Sequence, residues 1–140
     1  MEKKRSKVMF VAIFFLVILV IPIGLLSNPL RMPDRFVRYN LLRTLQLGTT
    51  FEDAIQIIEA NENWQTITIN RGRGFLMLHG RPSISSPSDR LGGYVVGEQF
   101  IRVHIGHYRY VFRRDVVAYL AFDADGYLIE IAVTRQIDAL

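Results

Sequence analysis

The stretch 122-FDADGYLIEI-131 decides how the second half of the chain is read, either as a calcium loop between helices or as the turn of a β-hairpin. An EF-hand loop needs oxygen ligands at its first, third and fifth positions, glycine at the sixth and a bidentate glutamate at the twelfth. With Gly126 placed sixth, Asp123 and Asp125 fill the third and fifth positions, but Ala121 stands first and Ala132 twelfth. Both ends of the ligand set are missing, and the flanks alternate as strands do. Asp125-Gly126 is a favoured two-residue hairpin turn, and a four-residue loop from Asp123 to Gly126 is the other option. Either loop sets Val116, Ala118, Leu120 and Phe122 on one face with Ile129, Ile131 and Val133. A three-residue loop would put Leu120 opposite Glu130, which a buried face rejects. A hairpin is therefore expected, with Ile129 and Ile131 in the core.

Working back from the hairpin, the runs QFIRVHI, YRYVF and DVVAYLAF are strand-like, and WQTITIN and FLMLHG flank RGRG as a further expected hairpin. Residues 80–93, GRPSISSPSDRLGG, are rich in serine, proline and glycine and predict a flexible connection. Before Trp64 the period is helical. Asp34 stands as an N-cap for RFVRYNLLRTLQL, in which Phe36, Val37, Leu41, Leu42 and Leu45 gather on one side and Gly48 ends the run. Thr50 with Asp53, or Thr49 with Glu52, has capping-box spacing, and Phe51, Ala54, Ile55 and Ile58 form the stripe of a second helix closed by NEN at 61–63. Two short helices followed by antiparallel strands predict an α+β domain over residues 34–140, with the helix pair covering one face of a sheet.

LQLGTTFEDAIQII and AYLAFDADGYLIEIAV together resemble the small SmpA/OmlA, BamE-like domain, in which a glycine-led, capped helix pair precedes a sheet that turns through an Asp-Gly hairpin. The resemblance covers these two segments. It implies a non-catalytic, membrane-associated module that works through protein contacts, with outer-membrane β-barrel assembly as the role of the best-known members. The chain departs from that pattern in lacking a lipobox cysteine and in a longer, strand-rich region from Trp64 to Tyr110, so no functional residue carries over.

The membrane attachment is read from the other end of the chain. Residues 8–26, VMFVAIFFLVILVIPIGLL, carry no charged side chain. As a helix they would reach about 29 Å, close to the hydrocarbon thickness of roughly 30 Å. The run exceeds a signal-peptide core of roughly 7 to 15 residues, and no A-x-A-like cleavage pattern follows it. An uncleaved single-pass anchor in membrane lipid is expected, preceded by a basic tail, residues 1–7, and followed by a linker, 27–33, whose Pro29 and Pro33 stop the helix. Lys3, Lys4, Arg5 and Lys7 on one side balance Arg31, Arg35, Arg38 and Arg43 on the other. The free amino group and the tighter cluster favour a cytoplasmic N-terminus and an extracytoplasmic domain.

Charge and composition then narrow the function. The first seven residues hold four of the 17 basic and one of the 13 acidic side chains, leaving 13 arginines against 12 acids in the remainder. The domain is nearly neutral, so its basic chain total does not indicate nucleic-acid binding. The second helix also carries Glu52, Asp53 and Glu59 with no basic residue, which excludes a phosphate-facing recognition helix. No cysteine means no disulfide framework, thiol nucleophile or cysteine lipidation.

Candidate chemistry is sparse. His104 and His107 form H-x-x-H, but in a continuous strand an odd separation points the two rings to opposite faces; only a bend at Gly106 brings them together, and His79 is the one further histidine. GGYVVGEQ and RGRG lack the features of phosphate or dinucleotide loops, and the serines at 83–88 have no nucleophile elbow. The expectation is a membrane-anchored protein without catalytic, cofactor or metal residues that binds another protein or envelope component. The expected contacts are the loop Arg81 to Gly93 and the run Tyr108, Arg109, Tyr110, Phe112, Arg113 and Arg114, because tyrosine and arginine are favoured at interfaces. The competing class is a membrane-tethered, metal-dependent hydrolase or small-ligand-binding domain that uses His104, His107 and nearby acids.

Overall fold

Leu120 and Ile131 face each other across the last two strands, β6 (Arg113–Phe122) and β7 (Leu128–Ile137), as do Ala118 and Val133. Those pairs keep the register expected of a two-residue loop, but the loop itself closes as the three residues 124–126, with the Asp123 amide donating to the Tyr127 carbonyl at 3.0 Å. Near the loop the register shifts: Ala121 still pairs with Glu130, but Phe122 pairs with Leu128, so Ile129 is left over as a bulge. Leu128 is 1% exposed and Ile129 is 43% exposed. The expectation that Ile129 is core is corrected, because one inserted residue moves it off the buried face and seats Leu128 there.

The computed structural model describes residues 28–84, 92–109 and 111–137. Two units divide the chain, Met1–Met32 and Pro33–Leu140. Of the first, Asn28–Met32 is described as one 3-10 turn, Pro29–Arg31, whose Leu30 amide donates to Asn28 Oδ1 at 3.0 Å. The basic tail, residues 1–7, and the expected membrane helix, residues 8–26, lie outside the described residues. Among the described residues, no helix is long and apolar enough to cross a membrane.

The second unit is α+β. Its helices are α1 (Asp34–Thr44) and α2 (Phe51–Glu59), and its remaining strands are β1 (Gln65–Asn70), β2 (Phe75–Leu78), β3 (Arg81–Ser83), β4 (Tyr94–Val96) and β5 (Gln99–Arg109). An antiparallel sheet runs in the order β1-β5-β6-β7, and a smaller one runs β3-β2-β4. From Val116 to Phe122 every residue of β6 is buried, because this central strand is covered on both faces. On one face Val103, Ile105, Ala118, Leu120 and Ile131 meet Leu41, Leu45 and Ile58 of the helical layer in a seam that leaves no room for a water molecule. On the other, Phe75 of β2 packs against Phe100 and Tyr119, with ring centroids 6.4 and 5.4 Å away.

Local signals account for the helices with small adjustments. Pro33, not Asp34, is the N-cap of α1; Asp34 is its first residue and forms an ion pair with Arg135 of β7. Arg38 also ties α1 to β7, donating from Nε to the Ile131 carbonyl at 2.8 Å and from Nη2 to Glu130 at 2.7 Å. Helix α1 ends at Thr44, a few residues ahead of Gly48, whose positive φ (87°) turns the chain toward α2. Thr50 caps α2 as expected, its Oγ1 accepting from the Asp53 amide at 3.2 Å and donating to Asp53 Oδ2 at 2.7 Å, and Phe51, Ala54 and Ile58 are buried. The link between the helices then joins the last hairpin. The Gly48 amide donates to the Leu128 carbonyl, the Leu128 amide to Thr49, and the Phe51 amide to Gly126, all at 2.8–2.9 Å.

Three long-range expectations change. RGRG is no hairpin turn: β1 pairs with β5, while β2 pairs with β3 and β4 in the other sheet. The chain crosses between sheets there, so closely that a Cβ on Gly74 would stand 2.0 Å from the Val96 carbonyl oxygen. The segment 80–93 is not all connection, since β3 occupies Arg81–Ser83 and folds back on β2 through His79 and Gly80; residues 85–91 lie outside the described ones. YRYVF is not one strand either. Tyr108 and Arg109 end β5, and Val111 and Phe112 belong to the turn into β6.

Candidate functional site

Strand β5 acquires one extra residue near its end. His104 pairs with Val117 and Gly106 with Val116, so Ile105 is inserted and the alternation of faces shifts by one. Gly106 makes this possible with φ +138°, a backbone angle that residues with a Cβ rarely adopt. After the bulge His107 pairs with Asp115. His104 and His107, which would point apart in a regular strand, now share a face with Asp115 of the neighbouring strand. One ligand atom from each of the three lies within 4.8 Å of the others. The condition set by the sequence, a bend at Gly106, is the one the structure meets; Asp115 is the member that the sequence reading did not single out. His79 sits instead at the β2–β3 turn, with φ +48°.

His104 Nε2 and Asp115 Oδ1 are 3.2 Å apart, and Arg113 Nε donates to the same oxygen at 3.2 Å. Partial burial pushes the Asp115 carboxyl up, but hydrogen bonds and charge from Arg113 and His104 outweigh it and hold the group below its ordinary value. Asp115 therefore stays a carboxylate at neutral pH. His104 and Asp115 are about one-fifth exposed, and His107 is open to solvent. Further along the same face, Arg102 donates from Nη2 to Gln136 at 3.0 Å and stands 5.7 Å from the Tyr119 ring centroid. Burial raises the Tyr119 hydroxyl, partly offset by Arg102.

The expected contact run divides at the β5–β6 tip. Tyr108 is 6% exposed, a core residue with the Arg135 guanidinium 5.9 Å from its ring centroid, so it does not belong to an open surface. Arg109, Arg113 and Arg114 are exposed, Phe112 is 64% exposed, and Tyr110 lies outside the described residues. Val111, which the residue-type reasoning passed over, is 80% exposed. Its signal was the absence of any strand partner for VF once the hairpin closes, which only the pairing of Arg109 with Arg113 makes visible. Of the other expected contact region, Arg81 is exposed and Pro82 buried, while Gly92 and Gly93 lie open.

A second exposed apolar feature is the edge strand β1, where Ile67 and Ile69 are 44% and 46% exposed. Comparison with protein-family models, with curated proteins and with solved structures finds no match to this chain.

Proposed function

We propose that the chain is a single-pass membrane protein, anchored in lipid through residues 8–26, whose α+β domain lies outside the cytoplasm and binds another protein or an envelope component without catalysing a reaction. The observation that carries this reading is the β5–β6 tip, which holds Val111 and Phe112 in solvent between Arg109, Arg113 and Arg114. An exposed apolar pair flanked along the chain by arginines suits a protein surface with an apolar pocket and an acidic rim. Burying each of the two side chains returns roughly 1.5–3 kcal/mol. The resemblance to BamE-like domains points to the same class of role, with envelope assembly as its most specific form.

The competing reading, a metal-dependent hydrolase or small-ligand binder, draws on His104, His107 and Asp115. Those three groups are of metal-ligand type, and the tip, not they, carries the reading proposed here. A photo-crosslinking side chain placed at Phe112 tests the proposal in native membranes. A discrete protein adduct is expected, reduced when Arg109 and Arg114 are replaced by glutamate. A tip that crosslinks only to lipid, or to nothing, overturns the protein-contact reading.

A further inference from the structure

We propose that His104, His107 and Asp115 form a binding site for a zinc-like transition-metal dication, which ties β5 to β6 just below the exposed tip. Three features converge on it. Two of the donors are imidazole nitrogens, which select borderline ions such as zinc over calcium or magnesium; those ions prefer sets made wholly of oxygen. The third is a carboxylate, which accepts a hydrogen bond from Arg113. Three protein donors leave a fourth tetrahedral position for water or for a donor from a partner.

The distances also fit. Zinc bonds of about 2.0–2.2 Å in a tetrahedron set donor-to-donor separations of roughly 3.3–3.6 Å. His104 Nε2 and Asp115 Oδ1 are already 3.2 Å apart, and all three donor atoms lie within 4.8 Å of one another. His107 is solvent-exposed, so rotation of its ring closes the remaining gap without moving the core. Arg113 remains on the carboxylate as an outer donor that orients it, the usual support for a metal-bound carboxylate. The bulge at Ile105 and Gly106 is what builds the site, because without it His107 would face the helical layer. The inference rests on this geometry alone and stands apart from the partner proposed for the tip.

The test uses the full-length chain without a histidine tag, purified in mild detergent, stripped with chelator and dialysed. Titration with zinc chloride is expected to load one equivalent, and cobalt(II) to give the visible absorption of a tetrahedral site. In wild-type protein the ring resonances of His104 and His107 should shift on adding zinc while those of His79 stay in place. Replacements H107A and D115N should each weaken binding at least about tenfold, the loss seen for even an outer-shell support, and H79A should leave it unchanged. The resonance measurement needs no variant, so a folding defect in D115N does not blunt it. Failure of the wild-type chain to take up zinc, or uptake that leaves His104 and His107 unmoved, overturns the site.

Discussion

Gly126 adopts φ +82°, and the Asp123 carboxylate accepts the Tyr127 amide at 2.8 Å; the two residues hold the last turn by different means. A Cβ at position 126 would meet only Phe51 Cβ at 3.8 Å, ordinary contact, so the cost of G126A is conformational. A left-handed backbone costs a residue with a side chain about 1–2 kcal/mol. Losing the Asp123 bond costs about 0.5–1.5 kcal/mol, and asparagine at 123 keeps an acceptor oxygen. Denaturant unfolding should thus rank G126A as the most destabilised, D123A next and D123N near wild type. If D123A proves as damaging as G126A, the side-chain bond and not the backbone angle sets the turn.

At the scale of elements, the β6–β7 hairpin separates what a sequence reveals from what it hides. Its register away from the loop was legible from the aliphatic alternation, while the loop closes on three residues and not on the two or four expected. The α2 cap was legible because its signal is local: Thr50 and Asp53 meet within one turn. Single inserted residues were not. The bulge at Ile129 exchanges Ile129 for Leu128 in the core, and the bulge at Ile105 gathers the histidines; in each case one residue inverts every face beyond it. Pairing of β1 with β5 rather than β2 was equally hidden, since it depends on contacts 30 to 39 residues apart in sequence and not on RGRG itself. The β5–β6 tip lacks glycine, asparagine or proline, so nothing in it announced a turn. The exchange at the β7 bulge predicts a sharp contrast: L128A should cost roughly 2–5 kcal/mol as a buried deletion, and I129A should stay within about 0.5 kcal/mol. Equal losses in thermal or denaturant unfolding would return Ile129 to the core.

Across the whole molecule, orientation is the property on which the proposed role depends, since the tip can meet an envelope partner only if the domain crosses the membrane. Basic residues tie at four on each side of residues 8–26. The tail holds Lys3, Lys4, Arg5 and Lys7 within seven residues, the tighter of the two clusters. On the proposed reading the tail is cytoplasmic, the side that the positive-inside rule gives to the tighter cluster. Protease added outside intact cells should then degrade an epitope placed after Leu140 and spare one placed before Met1. Replacing Lys3, Lys4 and Arg5 with glutamate should leave part of the population inverted, with the C-terminal epitope newly protected. A wild-type chain whose C-terminal epitope is protected while its N-terminal one is cut would put the domain in the cytoplasm, and any partner of the tip with it.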